Sequence, residues 1–421
     1  MESSARQPAT LRPAVLRLPD HGIPAARQSF LREHNLSLVL RHVIDAPKPI
    51  SRAELAKATG LARATVSALV DLLIAGDLLV ELDPIEAADR AGRPAVPLAP
   101  SGHGVVGLGL GIQVDHIGAR VLDLAGDVVH ERIVAGNFRA SDPALVVARL
   151  AELADRLTTA LIRSGTRVAG VCVSVPGSVQ ADGPLVRYAP NLDWHDVDLV
   201  GMVRAKADLG DIPIHVGNDT DLGARAEARA RSRERATPRQ DEQFLYVSCE
   251  IGVGGAIVVR GETTGSWSAE LGHVVVDRAG PPCGCGARGC LEQYAGRDSM
   301  FAHAGLGLGS SMTDFRRAVD AGEPAAVQAL SEAAEALGLA IASTLNLVNF
   351  DTVVLGGGYV ELADLLVPTI TRHIRRRTLA SRWQTIVIEV GRAGAMAPLT
   401  GAALLVLDEV VANPAMLLAA G

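Results

Sequence analysis

The chain has 421 residues, of which 48% are apolar and 21% charged, and 43 are glycines, so it can bury a large core spread over about three structural units. No apolar run approaches the roughly 18–20 residues that span a bilayer, and the first residues lack the apolar stretch of a secretory signal, so a cytoplasmic protein is expected. Five cysteines in so long a chain are too few for a disulfide framework.

The charge is distributed unevenly. The whole chain has a net charge of −7, but residues 1–100 carry 12 basic and 11 acidic side chains, and the remainder carries 28 and 36. Residues 1–26, rich in proline, arginine and serine, are predicted to be a flexible arm. Because the acidic part of the chain after residue 100 repels nucleic acid, any DNA contact is expected from residues 1–100.

Three helices are predicted in this N-terminal part of the chain. Apolar residues recur at three- and four-residue steps between Ser29 and Asp45, which predicts the first helix. The sequence "SRAE" at Ser51 has the spacing of a capping box and predicts a short helix over Arg52–Thr59. A glycine follows, and the third helix is predicted over Arg63–Ala75. A short helix, a glycine turn and a longer helix are typical of a helix-turn-helix.

The predicted DNA-binding residues lie on the third helix and in the segment after it. Arg63, Thr65 and Ser67 fall on the exposed face of the third helix. The sequences "DLLVELD" and "AVPLAP" can pair as a wing, with Arg90 and Arg93 at its tip, where an arginine can enter the negative potential of a minor groove. The alternative interpretation is an ordinary helical hairpin followed by a solvated loop.

After residue 100 the pattern changes to strands alternating with helices. The order of elements in "GVVGLGLGI", "IGARVLDLA", "VVHERIVA" and "VAGVCVSVPG" recurs later in "QFLYVSC", "GGAIVVRGE", "HVVVD" and "DTVVLGGG". Such a recurrence indicates a duplicated α/β architecture, with a ligand cleft between two lobes.

The stretch "CGCGARGC" brings three cysteines together, Cys283, Cys285 and Cys290. Their thiolates can supply three of the four ligands of a tetrahedral zinc ion, and the glycines between them let the backbone wrap a small ion. A redox pair or three packed thiols are the alternatives. Cys172 and Cys249 lie in apolar runs and are expected to be core residues.

The order of short motifs resembles the ROK family of repressors and sugar kinases, and in particular its repressor branch. The resemblance is carried by "PISRAELAKATGLARATVSALVDLL", "GRPA", "VPG", "APNLDW", "GNDTD", "AELGH", "CGCGARGCLE" and "VVLGGG". It implies a winged helix-turn-helix joined to a duplicated actin-like or sugar-kinase-like (ribonuclease-H-like) body. The expected boundaries are a flexible arm over 1–26, a DNA-binding domain over 27–100, a first lobe over 101–218 completed by a helix at about 393–416, and a second lobe with the zinc loop over 219–392.

The resemblance also implies site residues. His273 becomes the fourth ligand of one structural Zn²⁺ per chain. The residues implied for sugar binding are Gly177, Asn218, Asp219, Glu270, His273 and Glu292. In the family's kinases the residue matching Asp219 takes the proton from the attacking hydroxyl, although an Asn-Asp pair after a strand also suits a helix cap. Asp221 departs from the family, which usually has a second asparagine there.

Two loops that hold ATP phosphates in the family's kinases are changed. "DxGxT" becomes Gly109–Gln113, and "GTGxGG" becomes Glu250–Gly255, where a carboxylate and Ile251 replace a glycine and a hydroxyl. The favoured hypothesis is a sugar-responsive regulator without kinase activity that binds a palindromic operator as a homodimer or dimer of dimers. An active sugar kinase carrying a DNA-binding domain is the alternative, and a sugar phosphate or oligosaccharide effector is a third option.

Overall fold

The computed structural model describes residues 28–84, 96–180, 183–237, 239–264 and 270–418. Its first three helices are α1 (Gln28–Ile44), α2 (Arg52–Thr59) and α3 (Arg63–Ala75). The predicted bounds of α2 and α3 are confirmed, because local signals set them. Ser51 and Glu54 form the capping box of α2, and Gly60 ends that helix with φ of 72°, in the left-handed region that glycine adopts easily.

The helices α2 and α3 meet at 116°. This lies in the range of about 90–120° that is typical of a helix-turn-helix. The α3 residues predicted to be buried are all buried: Val66, Leu69, Val70 and Leu73. Residues from α1, α2 and α3 share one apolar core with the final long helix of the chain, so the helix-turn-helix packs directly on the body.

Three short strands complete this part: β1 (Ile50–Ser51), β2 (Leu79–Glu81) and β3 (Pro97–Pro100). The strands β2 and β3 are antiparallel, with Val80 opposite Ala99, so the two arms of the predicted wing do pair. The tip of the wing, residues 85–95, lies outside the described residues, and with it Arg90 and Arg93.

The first lobe is built on a five-stranded sheet in the order β11-β7-β4-β5-β6. The strands β4, β5 and β6 pair in antiparallel fashion. On the other side of β4, β7 and then β11 pair in parallel. The elements of this lobe are β4 (Val105–Ile112), β5 (His116–Asp123), β6 (Val128–Ala135), α4 (Pro143–Arg163), β7 (Arg167–Val175), β8 (Ser178–Val179), β9 (Leu185–Ala189), β10 (Trp194–Asp198), α5 (Leu199–Arg204) and β11 (Ile214–Asn218).

The second lobe repeats this topology, with the order β14-β13-β12-β15-β16 and the same sequence of antiparallel and parallel pairings. The predicted duplication is therefore confirmed. Its strands are β12 (Phe244–Cys249), β13 (Val253–Val259), β14 (Glu262–Thr263), β15 (Thr352–Gly357) and β16 (Val387–Val390). The helices that follow β11 in the chain are α6 (Asp219–Arg235), α7 (Glu292–Ala295), α8 (Arg297–His303), α9 (Met312–Asp320), α10 (Pro324–Leu347), α11 (Ala363–Arg377), α12 (Ala397–Ala412) and α13 (Ala415–Leu418).

One predicted strand is wrong. The segment "HVVVD" forms no sheet strand; it makes a single bridge between Val275 and Cys290. The amides of Val276 and Asp277 donate to the carbonyl oxygen of Gly289, so the segment is bonded to the cysteine loop. By length and composition α10 could cross a membrane, but 61% of its apolar window is buried, as in the core helix of a lobe.

Three glycines of β4 allow the helix α12 to lie close to the sheet. A Cβ atom at Gly109 would lie 2.2 Å from the carbonyl oxygen of Leu399 in α12, and one at Gly107 would lie 2.5 Å from that of Ala403. Real Cβ atoms do not approach oxygen so closely, so a side chain at these positions would displace α12. The alternating glycines are thus explained by helix packing.

An ion pair joins the helix-turn-helix to the body. Nη1 of Arg229 in α6 lies 2.7 Å from Oδ1 of Asp45, immediately after α1, and Nη2 donates to the carbonyl oxygen of Ile44 at 3.3 Å. The Arg229 side chain is 8% exposed and that of Asp45 is 28% exposed. Burial lowers the pKa of Arg229 and Asp45 acts in the opposite direction, so the buried guanidinium, which stays charged, requires this partner.

The two partners of this ion pair should respond unequally to substitution. Asp45→Ala leaves a buried arginine without its carboxylate and should lower the free energy of unfolding by about 2 kcal/mol. Arg229→Met keeps the packing and leaves an aspartate that water can reach, so it should cost less than ~1 kcal/mol. Urea denaturation measures both values. Equal losses would contradict the burial argument.

Candidate functional site

A cavity of about 160 Å³ lies between the two lobes. The first lobe contributes the turn after β7 and the end of β11, and the second contributes the connection from β12 to β13 and the segment before the cysteine loop. All six residues predicted to bind sugar line this one cavity: Gly177, Asn218, Asp219, Glu270, His273 and Glu292.

Asn218 joins two of these elements. Its Oδ1 accepts hydrogen bonds from the amides of Thr220 and Asp221, which caps α6, and its Nδ2 donates to the carbonyl oxygen of Gly177 at 2.9 Å. Gly177 has φ of 101°, and a Cβ atom there would lie 2.3 Å from the carbonyl oxygen of Tyr188. The helix-cap interpretation of this asparagine is therefore confirmed, and the cap itself positions the wall of the cavity.

Both carboxylate oxygens of Asp219 accept hydrogen bonds within the protein. Oδ1 accepts from the amide of Thr220 at 2.8 Å, and Oδ2 accepts from Nε2 of Gln113 at 3.0 Å. Burial raises the pKa of Asp219, and the Gln113 bond acts in the opposite direction. Sequence reasoning treated Gln113 only as a lost phosphate contact. Its role in the cavity was not apparent because the two residues are 106 positions apart.

Glu250 follows the last residue of β12 and also lines the cavity. Burial raises the pKa of Glu250 to about 8, and the neighbouring Asp219 adds to that shift. The other charged groups that act on it are Arg297, which favours its ionised form, and Asp115, which disfavours it. The carboxyl group of Glu250 therefore loses its proton only near pH 8, and not near pH 4 to 5 as an exposed glutamate does.

This shift should affect stability. An unfolded Glu250 ionises near its ordinary pKa, whereas the folded protein retains the proton up to about pH 8, so the free energy of unfolding should fall as pH rises from about 5 to 8. Glu250→Gln should remove that part of the decline, and Glu152→Gln, at an exposed position of α4, should not. Urea midpoints at pH 5, 6.5 and 8 measure this. An unchanged slope in the Glu250 variant would contradict the assignment.

Four ligand-type atoms converge beside the cavity, from His273, Cys283, Cys285 and Cys290, all within 4.8 Å of one another. Sγ of Cys283 lies 3.6 Å from Nδ1 of His273, and Sγ of Cys285 lies 3.7 Å from Sγ of Cys290. A tetrahedral zinc ion with Zn–S bonds of about 2.3 Å sets its ligands about 3.8 Å apart. The donor types and their separations fit zinc.

The cysteine loop takes its shape from glycines and backbone hydrogen bonds. Gly286 and Gly289 have φ of 91° and 68°. A Cβ atom at Gly289 would lie 1.5 Å from the carbonyl oxygen of Asp277, so no other residue fits there. The amide of Cys283 donates to the carbonyl oxygen of Ala287 at 2.9 Å, which closes the loop.

The same loop places two carboxylates of the cavity. The amide of His273 donates to the carbonyl oxygen of Glu270, and the amide of Leu291, the residue before Glu292, donates to that of Val274, so backbone bonds fix the chain beside both carboxylates. A Cβ atom at Gly252 would lie 1.9 Å from Oε2 of Glu292, which means that the glycine leaves the space for this carboxylate.

The candidate DNA-binding face is the start of α3. Arg63 and Thr65 are exposed there, and Ser67 is half-buried rather than fully exposed as predicted. Arg52 of α2 forms ion pairs with Asp71 of α3 at 2.7 Å and with Glu81 of β2 at 2.9 Å. These contacts hold α2, α3 and the first strand of the wing together.

Comparison with known proteins shows which family the chain belongs to. The profile of the ROK family matches residues 106–409. The chain belongs to the ROK family. A solved ROK family transcriptional regulator, described as a homologue of the E. coli MLC protein, superposes with a TM-score of 0.75 and 26% sequence identity over 93% of this chain and 100% of its own. The fold predicted from the sequence is thereby confirmed.

Two kinds of ROK protein are similar to this chain. The xylose repressor of Bacillus subtilis (strain 168) is 24% identical over 387 residues, 91% of this chain and 97% of the repressor. The kanosamine kinase of Amycolatopsis mediterranei (strain S699) is 32% identical over 262 residues, 61% of this chain and 82% of the kinase. Similarity to a repressor therefore extends over nearly the whole chain, and similarity to a kinase over about three fifths of it.

Proposed function

We propose that this ROK protein is a cytoplasmic, sugar-responsive transcriptional repressor, which binds operator DNA through α3 and the wing and binds a sugar in the cavity between the lobes. The observation that carries the proposal is the joining, in one chain, of a helix-turn-helix and a cavity rich in hydrogen-bond acceptors. The near full-length similarity to a protein named xylose repressor supports the same role.

The cavity has the groups that a sugar requires. Vicinal hydroxyls are paired donors, and carboxylate acceptors satisfy them in pairs. Asp219, Glu270 and Glu292 supply these acceptors, Asn218 supplies an amide, and His273, whose Nδ1 faces Cys283 in the metal cluster, would supply its Nε2–H as a donor. Tyr188 lines the same cavity and gives an apolar face on which a sugar ring can pack. A calorimetric titration against a panel of monosaccharides tests binding directly.

A structural zinc ion, one per chain, is proposed at His273, Cys283, Cys285 and Cys290. With four protein ligands the ion has no open position, so it would hold the loop and would not activate water. His273 would then serve two purposes, because it both belongs to the cluster and lines the cavity.

The kinase alternative is supported by the similarity to kanosamine kinase. Against it stand the residues of the phosphate loops. At position 109 an aspartate would place its Cβ 2.2 Å from the carbonyl oxygen of Leu399, so α12 leaves no room for the family's metal-binding side chain. Gln113 instead bonds to Asp219, and Glu250 adds a carboxyl group to the wall of the cavity.

Phosphoryl transfer should therefore be undetectable with any sugar that binds. A coupled assay of ADP formation measures this, and Asp219→Asn is the matched control for a contaminating kinase. Turnover by the parent that disappears in the Asp219 variant would make the kinase alternative correct.

DNA binding is proposed to be dimeric, because one recognition helix reads only a few base pairs and a two-fold pair reads a palindrome. Thr65 and Ser67 would contact bases or phosphate, Arg63 would mainly contact phosphate, and Arg90 and Arg93 would approach the minor groove. A mobility-shift titration with the upstream region of the protein's own gene cluster tests this. Thr65→Ala should weaken operator binding. Adding a sugar that binds should release the parent protein from the operator.

The helix α6 offers a route from sugar to DNA. It begins at Asp219 in the cavity and carries Arg229, which contacts Asp45 and Ile44 at the end of α1. Ten residues of helix separate the two sites, a span of about 15 Å. A shift of the lobes on sugar binding would thus be passed to the helix-turn-helix, provided that sugar binds more tightly to the conformation that holds DNA poorly.

A further inference from the structure

We propose that Glu227 of α6 is a positioning residue, which holds one of the segments that join the two lobes and so couples sugar binding in the cavity to DNA binding. The proposal rests on the proposed function of a sugar-responsive repressor and names a residue on which the response depends. Glu227 is not one of the residues that line the cavity, and it lies outside the helix-turn-helix. Its effect on either site must therefore pass through the groups that it contacts.

The chain passes from the first lobe to the second through α6, which leads from β11 to β12. It returns through residues 391–396, which lead from β16 of the second lobe to α12 and are called the return connection below. The helix α12 belongs to the first lobe, since Leu399 and Ala403 pack on the glycines of β4. A change in the angle between the lobes must therefore shift the return connection relative to α6.

The carboxylate of Glu227 lies where α6 meets the return connection. Its Oε2 accepts hydrogen bonds from the amide of Arg392 at 2.7 Å and from the amide of Ala393 at 2.9 Å. The side chain is fully buried. Hydrogen bonds to an ionised oxygen are the stronger kind, and two adjacent amides fix the direction of the peptide as well as its position. The return connection cannot move on α6 without breaking them.

The other oxygen of this buried carboxylate has no partner. Burial raises the pKa of Glu227, and its Oε1 accepts no hydrogen bond from the described residues. The nearby guanidinium of Arg231 pairs instead with Glu242 and Glu389. A carboxylate that served the fold alone would be expected to have both oxygens satisfied. The Oε1 atom can accept from a donor that approaches when the lobes turn, so this residue suits a second arrangement of the return connection.

The same turns of α6 carry the contact to the helix-turn-helix. Arg229, two residues after Glu227, contacts Asp45 and the carbonyl oxygen of Ile44. In the other direction Glu227 lies eight residues after Asp219 of the cavity, about 12 Å along the helix. Glu227 therefore lies between the two sites, at the point where the second lobe is bonded to the helix that contacts both.

A second glutamate of α6 contacts the same connection from the outside. Oε2 of Glu234 lies 3.3 Å from Nε of Arg392, and the Glu234 side chain is 63% exposed. An ion pair so exposed to water constrains its partners little. The two glutamates thus reach the same residue, but only Glu227 bonds to its backbone, which makes Glu234 the matched control.

The test compares Glu227→Gln with Glu234→Gln in the full chain, with D-glucose, D-xylose and N-acetylglucosamine as probes. The measured quantity is the operator Kd at saturating sugar divided by the operator Kd without sugar. Glu227→Gln keeps an acceptor but removes its charge, so this ratio should fall about 3- to 10-fold. The sugar affinity of the free protein should stay within about twofold, and that of the operator-bound protein should rise by the factor that the ratio loses. Glu234→Gln should change none of these values.

Hydrogen–deuterium exchange in residues 391–396 gives a readout that needs no DNA. A sugar that binds should change the exchange of this segment in the parent protein, and Glu227→Gln should speed exchange there without sugar.

The outcomes separate this inference from the function on which it rests. A ratio that Glu227→Gln leaves unchanged, or exchange that sugar does not alter in the parent, overturns the inference and leaves the sugar-responsive repressor intact. If Glu227→Gln does not bind the operator even without sugar, the exchange of the parent protein decides. If none of the sugars binds the parent or releases it from the operator, the proposed function fails and this inference fails with it.

Discussion

Cys285→Ser should yield a protein without bound zinc and with a sugar affinity at least ~10-fold weaker than that of the parent, the loss seen when a residue supporting a bound group is removed. Cys285 is the exposed member of the cluster, so its replacement removes a ligand without opening the core. In the loop that the ion would hold, the amide of His273 donates to the carbonyl oxygen of Glu270, and the amide of Leu291, next to Glu292, donates to that of Val274. Loss of the ion should therefore displace both carboxylates together.

Metal analysis of protein purified without chelators, followed by sugar titration, measures the two effects. Arg288→Ser is the matched control, because Arg288 is exposed in the same loop and is not a ligand. It should keep both zinc and sugar affinity. A parent protein with no zinc would refute the metal site, and a zinc-free variant that binds sugar normally would separate the loop from the cavity.

Glu270→Ala should leave operator binding intact and remove its response to sugar. Glu270 lines the cavity and is placed by the backbone beside His273, far in sequence from the helix-turn-helix. Hydrogen bonds to a charged group contribute about 1.5–3 kcal/mol, so its loss should weaken sugar binding roughly 10- to 100-fold. At the sugar concentration that releases the parent from DNA, the variant should remain bound.

A mobility-shift titration with and without sugar measures this, with Glu152→Ala as a control that removes an exposed carboxylate elsewhere. A Glu270 variant that releases DNA as readily as the parent would place the effector outside this cavity. Because the variant must still bind the operator, loss of DNA binding would indicate a misfolded protein, and Glu270→Gln, which keeps the size of the side chain, would replace it in the test.

Local signals explain where the sequence predictions succeeded. The capping box at Ser51 and the glycine at 60 fix the ends of α2 whatever surrounds them, since the bonds involved lie within four residues. The three cysteines are close in sequence, so their convergence needed only the loop itself. His273 and the other cavity residues came from motif order, because the family resemblance carried information on distances that the sequence alone does not contain.

Predictions failed where a partner distant in sequence decides the outcome. The apolar run at Val274 predicted a strand, but its amides bond to the cysteine loop. Gln113 was regarded as a lost contact, although its amide holds Asp219 from the opposite lobe. Gly109 was interpreted as a lost contact of a phosphate loop, and it also leaves room for α12.

The sequence by itself determined the helix-turn-helix, the duplicated order of strands and helices, and the residue types available for metal and sugar, because each depends on periodicity, capping or short spacing. Only the tertiary structure decided which of these groups face one another. The closure of Gln113 on Asp219 and the pairing of Arg229 with Asp45 join residues 106 and 184 positions apart. Such contacts arise from the packing of the two lobes and of α6 against α1, and no local pattern in the chain encodes them.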